Sequence, residues 1–347
     1  MAEAEVFEST LLIAPLQTLE SSPHYLSSPI SVAASKTLKR LRIVLISSLF
    51  DAPSAQPSTS SYGVSRTDRW DEVQRLLTYV YVQATKVAQE LDRILMDVDV
   101  LLQAESETVA ESLGRDAHHI FRVSLNNGKD DLSNLPPSIL ERDGETTWLE
   151  PTVYHPPTGL PESHPHTPLH PTESDLPALF PVSVLGGTFD HLHAGHKILL
   201  SMAAWITSQK LIVGTTDDAL LKNKANKHVL ENLSRRIQRT REFLTLFKPS
   251  VEYDIVPISD VYGPTAWDPN IQALVVSKET LSGGAAIHKH RKEKGLPALK
   301  TFVIDVISST QANLDAADAE ALKKTKMSST FIREWIVEQQ QKGIQVE

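Results

Sequence analysis

The sequence predicts an α/β protein, with a Rossmann-like parallel five-stranded sheet in the C-terminal half and a smaller α/β domain before it. Three observations carry this prediction. From Pro181 onward, apolar strand-like runs at 182–185, 211–215, 251–257, 273–276 and 301–307 are mostly separated by stretches of helical periodicity. Between the first run and the first helix lies a two-glycine turn that leads to a pair of histidines. Before residue 126, shorter runs at 11–14, 42–49 and 98–102 accompany one long helical pattern.

The N-terminal domain is read as residues 1–125. Its long helix is expected over 70–96, with Leu76, Leu77, Val80, Val87, Leu91, Ile94 and Leu95 at helical spacing. A Ser-, Pro- and Thr-rich stretch at 51–63 reads as a loop. Residues 126–178 are read as a linker. Pro136, Pro137, Pro151, Pro156, Pro157, Pro161, Pro165, Pro168, Pro171 and Pro177 remove donors and fix φ there, which denies helix and central strand. The linker histidines His155, His164, His166 and His170 read as solvated, because no carboxylate or cysteine completes a ligand set. No internal repeat stands out. The third region, 179–347, carries helices at 192–208 and 233–247, the second with Leu233, Ile237, Leu244 and Phe247 on one stripe. Alternating strands and helices imply right-handed crossovers, and such sheets bind ligands beyond the carboxyl ends of their strands.

Composition narrows the function classes. The formal charge of −9 argues against a general nucleic-acid binder. No apolar run approaches the ~20 residues that a membrane helix requires. The first residues, Met1-Ala2-Glu3-Ala4-Glu5, lack the basic start of a targeting peptide. With no cysteine there is no disulfide, thiolate nucleophile or cysteine zinc site. A cytoplasmic, or also nuclear, location is expected. The charge is uneven, however. Lys222, Lys224, Lys227, Arg235, Arg236, Arg239, Arg241 and Lys248 face only Glu231 and Glu242 in their stretch, a basic patch suited to a small polyanion.

The chemistry concentrates in Gly186-Gly187-Thr188-Phe189-Asp190-His191-Leu192-His193-Ala194-Gly195-His196. A helix N-terminus presents unpaired N–H groups and a positive dipole end, so it is prepared for an anion. His193 and His196 can donate to phosphate oxygens, and the glycines admit a ligand close to backbone. Neither a Walker loop nor a GxGxxG fingerprint occurs. A zinc site through His191, His193 and His196 lacks the usual spacing and a further ligand type, so no metal ligand is assigned. Asp190 reads as an acceptor that fixes the turn, and Phe189 as packing.

These residues resemble the HxGH signature of the nucleotidyltransferase superfamily. From about Pro181 to Glu338 the chain resembles the eukaryotic, fungal-type monofunctional phosphopantetheine adenylyltransferases. The matching segments are Gly214-Thr215-Thr216-Asp217-Asp218-Ala219-Leu220-Leu221-Lys222-Asn223-Lys224, Arg241-Glu242-Phe243-Leu244, Tyr262-Gly263-Pro264-Thr265-Ala266-Trp267-Asp268-Pro269, Leu274-Val275-Val276-Ser277-Lys278-Glu279-Thr280 and Lys326-Met327-Ser328-Ser329-Thr330-Phe331-Ile332-Arg333. The resemblance implies the nucleotidyltransferase fold and adenylyl transfer from ATP, with Mg2+, to 4′-phosphopantetheine. It assigns catalysis to His196, Lys222 and Thr188. It assigns nucleotide binding to Gly186, Gly187, Phe189, His193, Ser328, Ser329, Thr330 and Arg333. Lys224 and Lys227 compete with Lys222 for the phosphate contact. Ser277-Lys278-Glu279-Thr280 departs from the bacterial enzymes, which carry an arginine there; Arg291 and Lys289 are its candidate replacements. Trp267 and Pro264 are placed at the pantetheine pocket or in a structural turn.

The rivals are a cytidylyltransferase making a CDP-alcohol, which shares the glycine and histidine motif, a class I synthetase, and a non-catalytic scaffold of the same fold. KMSSTFIR together with TDDALLKNK favours adenylyl transfer. No GxxxxGK[ST] loop is present, so a single activity is expected. The N-terminal domain carries no chemical motif, and assembly with other coenzyme A biosynthetic enzymes is its expected role.

Overall fold

Asp92 stops the long helix of the N-terminal region, which ends six residues short of its expected end at 96. In the computed structural model, which describes residues 5–19, 23–52, 65–124, 132–153, 176–305 and 328–345, helix α2 spans Trp70–Glu90. Asp92 takes a left-handed backbone (φ 55°), and the Arg93 N–H turns back to the Ala88 carbonyl at 2.7 Å. That closure ends the helix although Ile94 and Leu95 continue its spacing.

The described residues fall into two units, one up to Ala178 and one from Leu179. The first unit is a parallel sheet of β1 (Phe7–Pro15), β2 (Thr37–Ser47), β3 (Asp97–Ala104), β4 (His119–Val123) and β5 (Thr146–Leu149), in the order β3-β2-β1-β4-β5. Helix α1 (Ser27–Lys36) and α2 pack on one another, and the short α3 (Glu111–Arg115) and α4 (Pro137–Leu140) do likewise. β1 to β3 correspond to the expected runs, while β4 and β5 were not legible in the sequence. β5 and α4 lie inside the segment read as linker, so that segment is folded over 132–153. Proline permits both: Pro137 opens α4 in its first turn, where no intrahelical donor is needed, and β5 is an edge strand paired only with β4. Residues 53–64 and 154–175, with His155, His164, His166 and His170, lie outside the described residues.

The second unit matches the expected five-stranded parallel sheet. It holds β6 (Phe180–Gly187), β7 (Thr207–Thr216), β8 (Glu252–Ile258), β9 (Ala273–Ser277) and β10 (Lys300–Ile304), in the order β10-β9-β6-β7-β8. Helices α5 (Ala194–Ile206), α6 (Leu233–Phe247), α7 (Leu281–Glu293) and α8 (Ser329–Gln341) follow their strands. Val184, Ile212, Leu274, Val276, Ile287 and Leu299 form one buried cluster between sheet and helix. β6 has β7 on one side and β9 on the other, so the strand order reverses there. A crevice beyond the carboxyl ends at such a reversal is the usual ligand position. No described helix is long and apolar enough to cross a membrane.

Candidate active site

β6 ends in Gly186-Gly187 at that crevice. A Cβ on Gly187 would lie 2.8 Å from the Phe189 ring, so only glycine fits. Phe189 (φ 53°) and His191 (φ 43°) both take left-handed backbone, unusual for side chains of this size. Buried contacts hold the loop in that shape. The Phe189 ring is fully buried and forms the floor of the loop, so its expected nucleotide contact falls to its main chain and not to its ring. Asp190 is also fully buried, and its carboxylate accepts the Glu231 N–H at 2.9 Å and Arg333 Nη1 at 2.5 Å. Thr188 is half-buried with its hydroxyl unpaired among the described residues, while its carbonyl accepts Arg236 Nη1 at 2.7 Å.

The two histidines lie at the start of α5. His193 is the extended residue before the helix, and its ring stacks on His196 at 3.9 Å between centroids. The spacing of three residues produces this stack. Gly195 belongs to it, because a Cβ there would sit 3.3 Å from the His193 ring. The His196 ring meets Phe189 edge-on at 5.4 Å. Among the described residues, neither buried Nδ1 has a partner. Burial drives the His196 pKa down to about 3, and as whole residues both histidines are half-buried. His193 is held well below the ordinary histidine value by burial, with His196, His191 and Lys197 adding to it. The site therefore presents two neutral imidazoles, and a polyanion beside them would offset their desolvation.

This depression has a measurable consequence. A histidine whose folded pKa lies below its unfolded value stabilises the fold above the unfolded pKa, and that contribution is lost as pH falls. For His196 the window runs from about 6.5 down to about 3. Unfolding of the second unit is expected to become easier by up to about 1.4 kcal/mol per pH unit per group across it. His196→Asn should flatten the slope between pH 6.5 and 4.5; an unchanged slope in chemical denaturation would contradict the burial argument.

The N-terminus of α8 meets the same loop. Ser328 caps the helix by accepting the Phe331 N–H at 3.2 Å, and Ser329 Oγ donates to the Asp190 carbonyl at 2.8 Å. The serine segment and the glycine–histidine segment therefore adjoin through one loop. Arg333 was expected at phosphate, and the structure corrects this. It is 2 % exposed, with Nε on the Ala225 carbonyl, Nη1 on Asp190 and Nη2 on Thr330 Oγ1. A buried carboxylate requires a cation, and Arg333 supplies it. Thr330 is exposed, and Lys326 and Met327 lie outside the described residues.

The basic patch also reads differently in three dimensions. Arg236 is fully buried and binds the carbonyls of Glu231, Thr188 and Thr216 and the Asp218 carboxylate. Arg235 and Arg239 pair with Glu231, Arg241 binds the Tyr253 carbonyl, and Lys248 binds the carbonyls of Ala204 and Thr207. Lys222, Lys224 and Lys227 are exposed, with no ion pair among the described residues. Of these, Lys222 directly ends the short turn Asp218–Leu221 that follows β7. Arg291, a candidate replacement for the bacterial arginine, is 1 % exposed and holds the carbonyls of Thr265, Asp268 and Pro297. Lys289 is solvated, and Trp267 is 69 % exposed. Arg236 escaped sequence reasoning because nothing in a run of basic residues marks the one that points inward.

Magnesium, implied by ATP chemistry, finds no carboxylate set here among the described residues. Asp190 is covered by Arg333, Asp218 is paired with Arg236, and Asp217 accepts the N–H of Ala219. An ion at this site would be held by substrate phosphates and water.

A family model described as cytidylyltransferase-like matches residues 184–335, the stretch that carries the crevice, the paired histidines and α8 up to Trp335. The chain is 43 % identical over 156 residues to the phosphopantetheine adenylyltransferase of Saccharomyces cerevisiae, covering 44 % of this chain and 51 % of that protein. It thus spans about half the length of the yeast relative. It is 36 % identical over 130 residues to the phosphopantetheine adenylyltransferase of Methanopyrus kandleri, covering 38 % of this chain and 82 % of that protein. Against the same enzyme of Pyrobaculum aerophilum it is 32 % identical over 150 residues, covering 43 % and 88 %. The archaeal proteins are matched over most of their length by a stretch that fits within one unit of this chain. Through its second unit, the chain belongs to the phosphopantetheine adenylyltransferase family.

Proposed function

We propose that the second unit transfers the adenylyl group of ATP to 4′-phosphopantetheine, giving dephospho-coenzyme A and pyrophosphate. The stacked His193–His196 pair at the switch-point crevice, with both Nδ1 atoms unpartnered among the described residues, is the observation that carries this reading. Orphaned polar atoms in a crevice are receptive to a ligand with many acceptors and donors.

The chemistry fits the groups present. A phosphate oxygen of phosphopantetheine attacks the α-phosphorus of ATP, and the bond from that phosphorus to the β-bridging oxygen breaks. Pyrophosphate leaves with the electron pair. The nucleophile is already an anion, so no general base or covalent intermediate is needed; alignment and charge stabilisation are. Thr188 offers its free hydroxyl to the attacking phosphate. His193 and His196 donate to ATP oxygens as charge shifts toward the leaving group, and Lys222 adds a mobile positive charge. Gly186 leaves the strand end open. Ser328 caps α8 and Ser329 braces it against the loop, while the Thr330 hydroxyl accepts from Arg333 Nη2 at that helix start. Magnesium enters with ATP. The same reading places the protein in the cytoplasm or also the nucleus, with other coenzyme A biosynthetic enzymes as partners of the first unit.

Incubation with ATP, magnesium and 4′-phosphopantetheine should yield dephospho-coenzyme A, detected by mass. Turnover with CTP and an alcohol phosphate, and none with ATP, would reverse the assignment in favour of the cytidylyltransferase reading. Absence of label exchange between pyrophosphate and ATP, with 4′-phosphopantetheine and magnesium present, would support a scaffold.

A further inference from the structure

We infer that the first unit is a second copy of the nucleotidyltransferase fold whose nucleotide position is closed by its own residues. Shared strand order alone is weak grounds, because many α/β proteins have it. The registers go further. In both units the first strand pairs the second with the same irregularity: Phe7 faces Thr37 and Ser9 faces Arg40, as Phe180 faces Thr207 and Val182 faces Lys210. The remaining pairings continue the same correspondence. Thr10 faces His119 where Ser183 faces Ala273, and Arg40 faces Asp97 where Lys210 faces Glu252. Ile120 faces Thr146 where Leu274 faces Thr301. All the sheet strands therefore match residue for residue.

The joint between first helix and second strand repeats as well. α1 runs into β2 at Thr37 and α5 into β7 at Thr207, with no loop residue. The two threonines have φ −102°, ψ 132° and φ −95°, ψ 134°. Each hydroxyl donates to the carbonyl four residues back, Ala33 or Ala203, at 2.7 Å. A cation then covers the open carbonyls. Arg93 Nη1 binds those of Ser35 and Thr37, and Lys248 Nζ binds those of Ala204 and Thr207. Arg93 and Lys248 precede the third strands of their sheets, at Asp97 and Glu252, by the same interval. Few of these positions carry identical residues, so the repeat is invisible in sequence.

The correspondence also locates the missing site. Counting along β1 and β6 from these pairs, Ile13 and Ala14 stand where the second unit has Gly186 and Gly187. Counting back from the threonine joint, Pro23 and Leu26 stand where it has His193 and His196. Leu26 is fully buried. The start of α1 is covered from within: the Ser28 N–H donates to Thr152 Oγ1 at 2.9 Å, and the Thr152 N–H donates to the Tyr25 carbonyl at 2.8 Å. Tyr25 in turn donates its hydroxyl to the Pro15 carbonyl at 2.9 Å. Imidazoles and glycines are gone, and a chain segment lies over the helix start. The tandem therefore pairs one open copy with one closed copy; that the open copy takes ATP rests on the proposed function above.

Two hydrogen-exchange experiments on the full chain test this. With ATP, and separately with inorganic pyrophosphate, peptides covering 186–200 should gain protection while those covering 13–30 and 149–153 stay unchanged. Protection in the first-unit peptides, or two nucleotides bound per chain, overturns the closed copy. No protection in either unit would leave the closed copy standing and count against ATP binding by the second. In the other experiment, Arg93→Ala should speed exchange over 33–40 and Lys248→Ala over 203–210, and Arg93→Lys should restore the slow rate because the second copy uses lysine there. A joint indifferent to Arg93→Ala, or unrescued by lysine, overturns the duplication.

Discussion

His196→Ala is expected to lower kcat for adenylyl transfer by about 10²- to 10³-fold, the loss that follows removal of one preorganised donor at a developing charge. KM for ATP should change far less. The asymmetry comes from timing: the neutral imidazole, with its pKa pushed down to about 3 by burial, gains most when charge moves onto the departing pyrophosphate. His196→Asn keeps an N–H donor and should recover part of the rate. His193→Ala, which removes the outer ring of the stack, should act mainly on KM. Steady-state kinetics with both substrates varied check all three. A His196→Ala enzyme within threefold of the parent kcat would remove this residue from the chemistry.

Asp190→Asn should destabilise the second unit by about 3–5 kcal/mol, because it leaves the buried Arg333 guanidinium without its counter-charge. The carboxylate also accepts the Glu231 N–H, and the Asp190 carbonyl holds Ser329. Loss of this centre therefore loosens the glycine loop, the Glu231 turn and α8 together. Activity should fall at temperatures where the second unit still reads as folded by far-UV circular dichroism. The double substitution Asp190→Leu with Arg333→Leu should be less destabilising than Asp190→Asn alone, since it removes both buried charges. Denaturant unfolding followed by Trp205 and Trp335 fluorescence in the second unit measures this. Additive losses in the double variant would mean that the two residues do not act as a pair.

The sequence carried the second unit well because its signals are local. Strand runs, the 233–247 stripe and the three-residue spacing of His193 and His196 depend on neighbours a few positions apart, and α6 spans Leu233–Phe247. α7 was missed because Gly283 and Gly284 dilute its pattern, although Gly284 lies against Val276 and Leu274 in the packed interior. β4 and β5 were missed because each is short, and the second follows a proline-rich start.

By itself the sequence marked the glycine–histidine segment and determined the family to which it points. The glycine turn, the imidazole pair and the serine cap are each contiguous and are set by local backbone rules. Tertiary structure alone decided which charges stay exposed and which hold the protein together. Arg333 and Asp190 are 143 residues apart in sequence, and only folding turns that arginine from a phosphate candidate into the partner of a buried carboxylate. The fold likewise decided that two stretches with little sequence in common share one set of strand registers, because hydrogen-bond geometry and helix–strand joints persist when side chains do not.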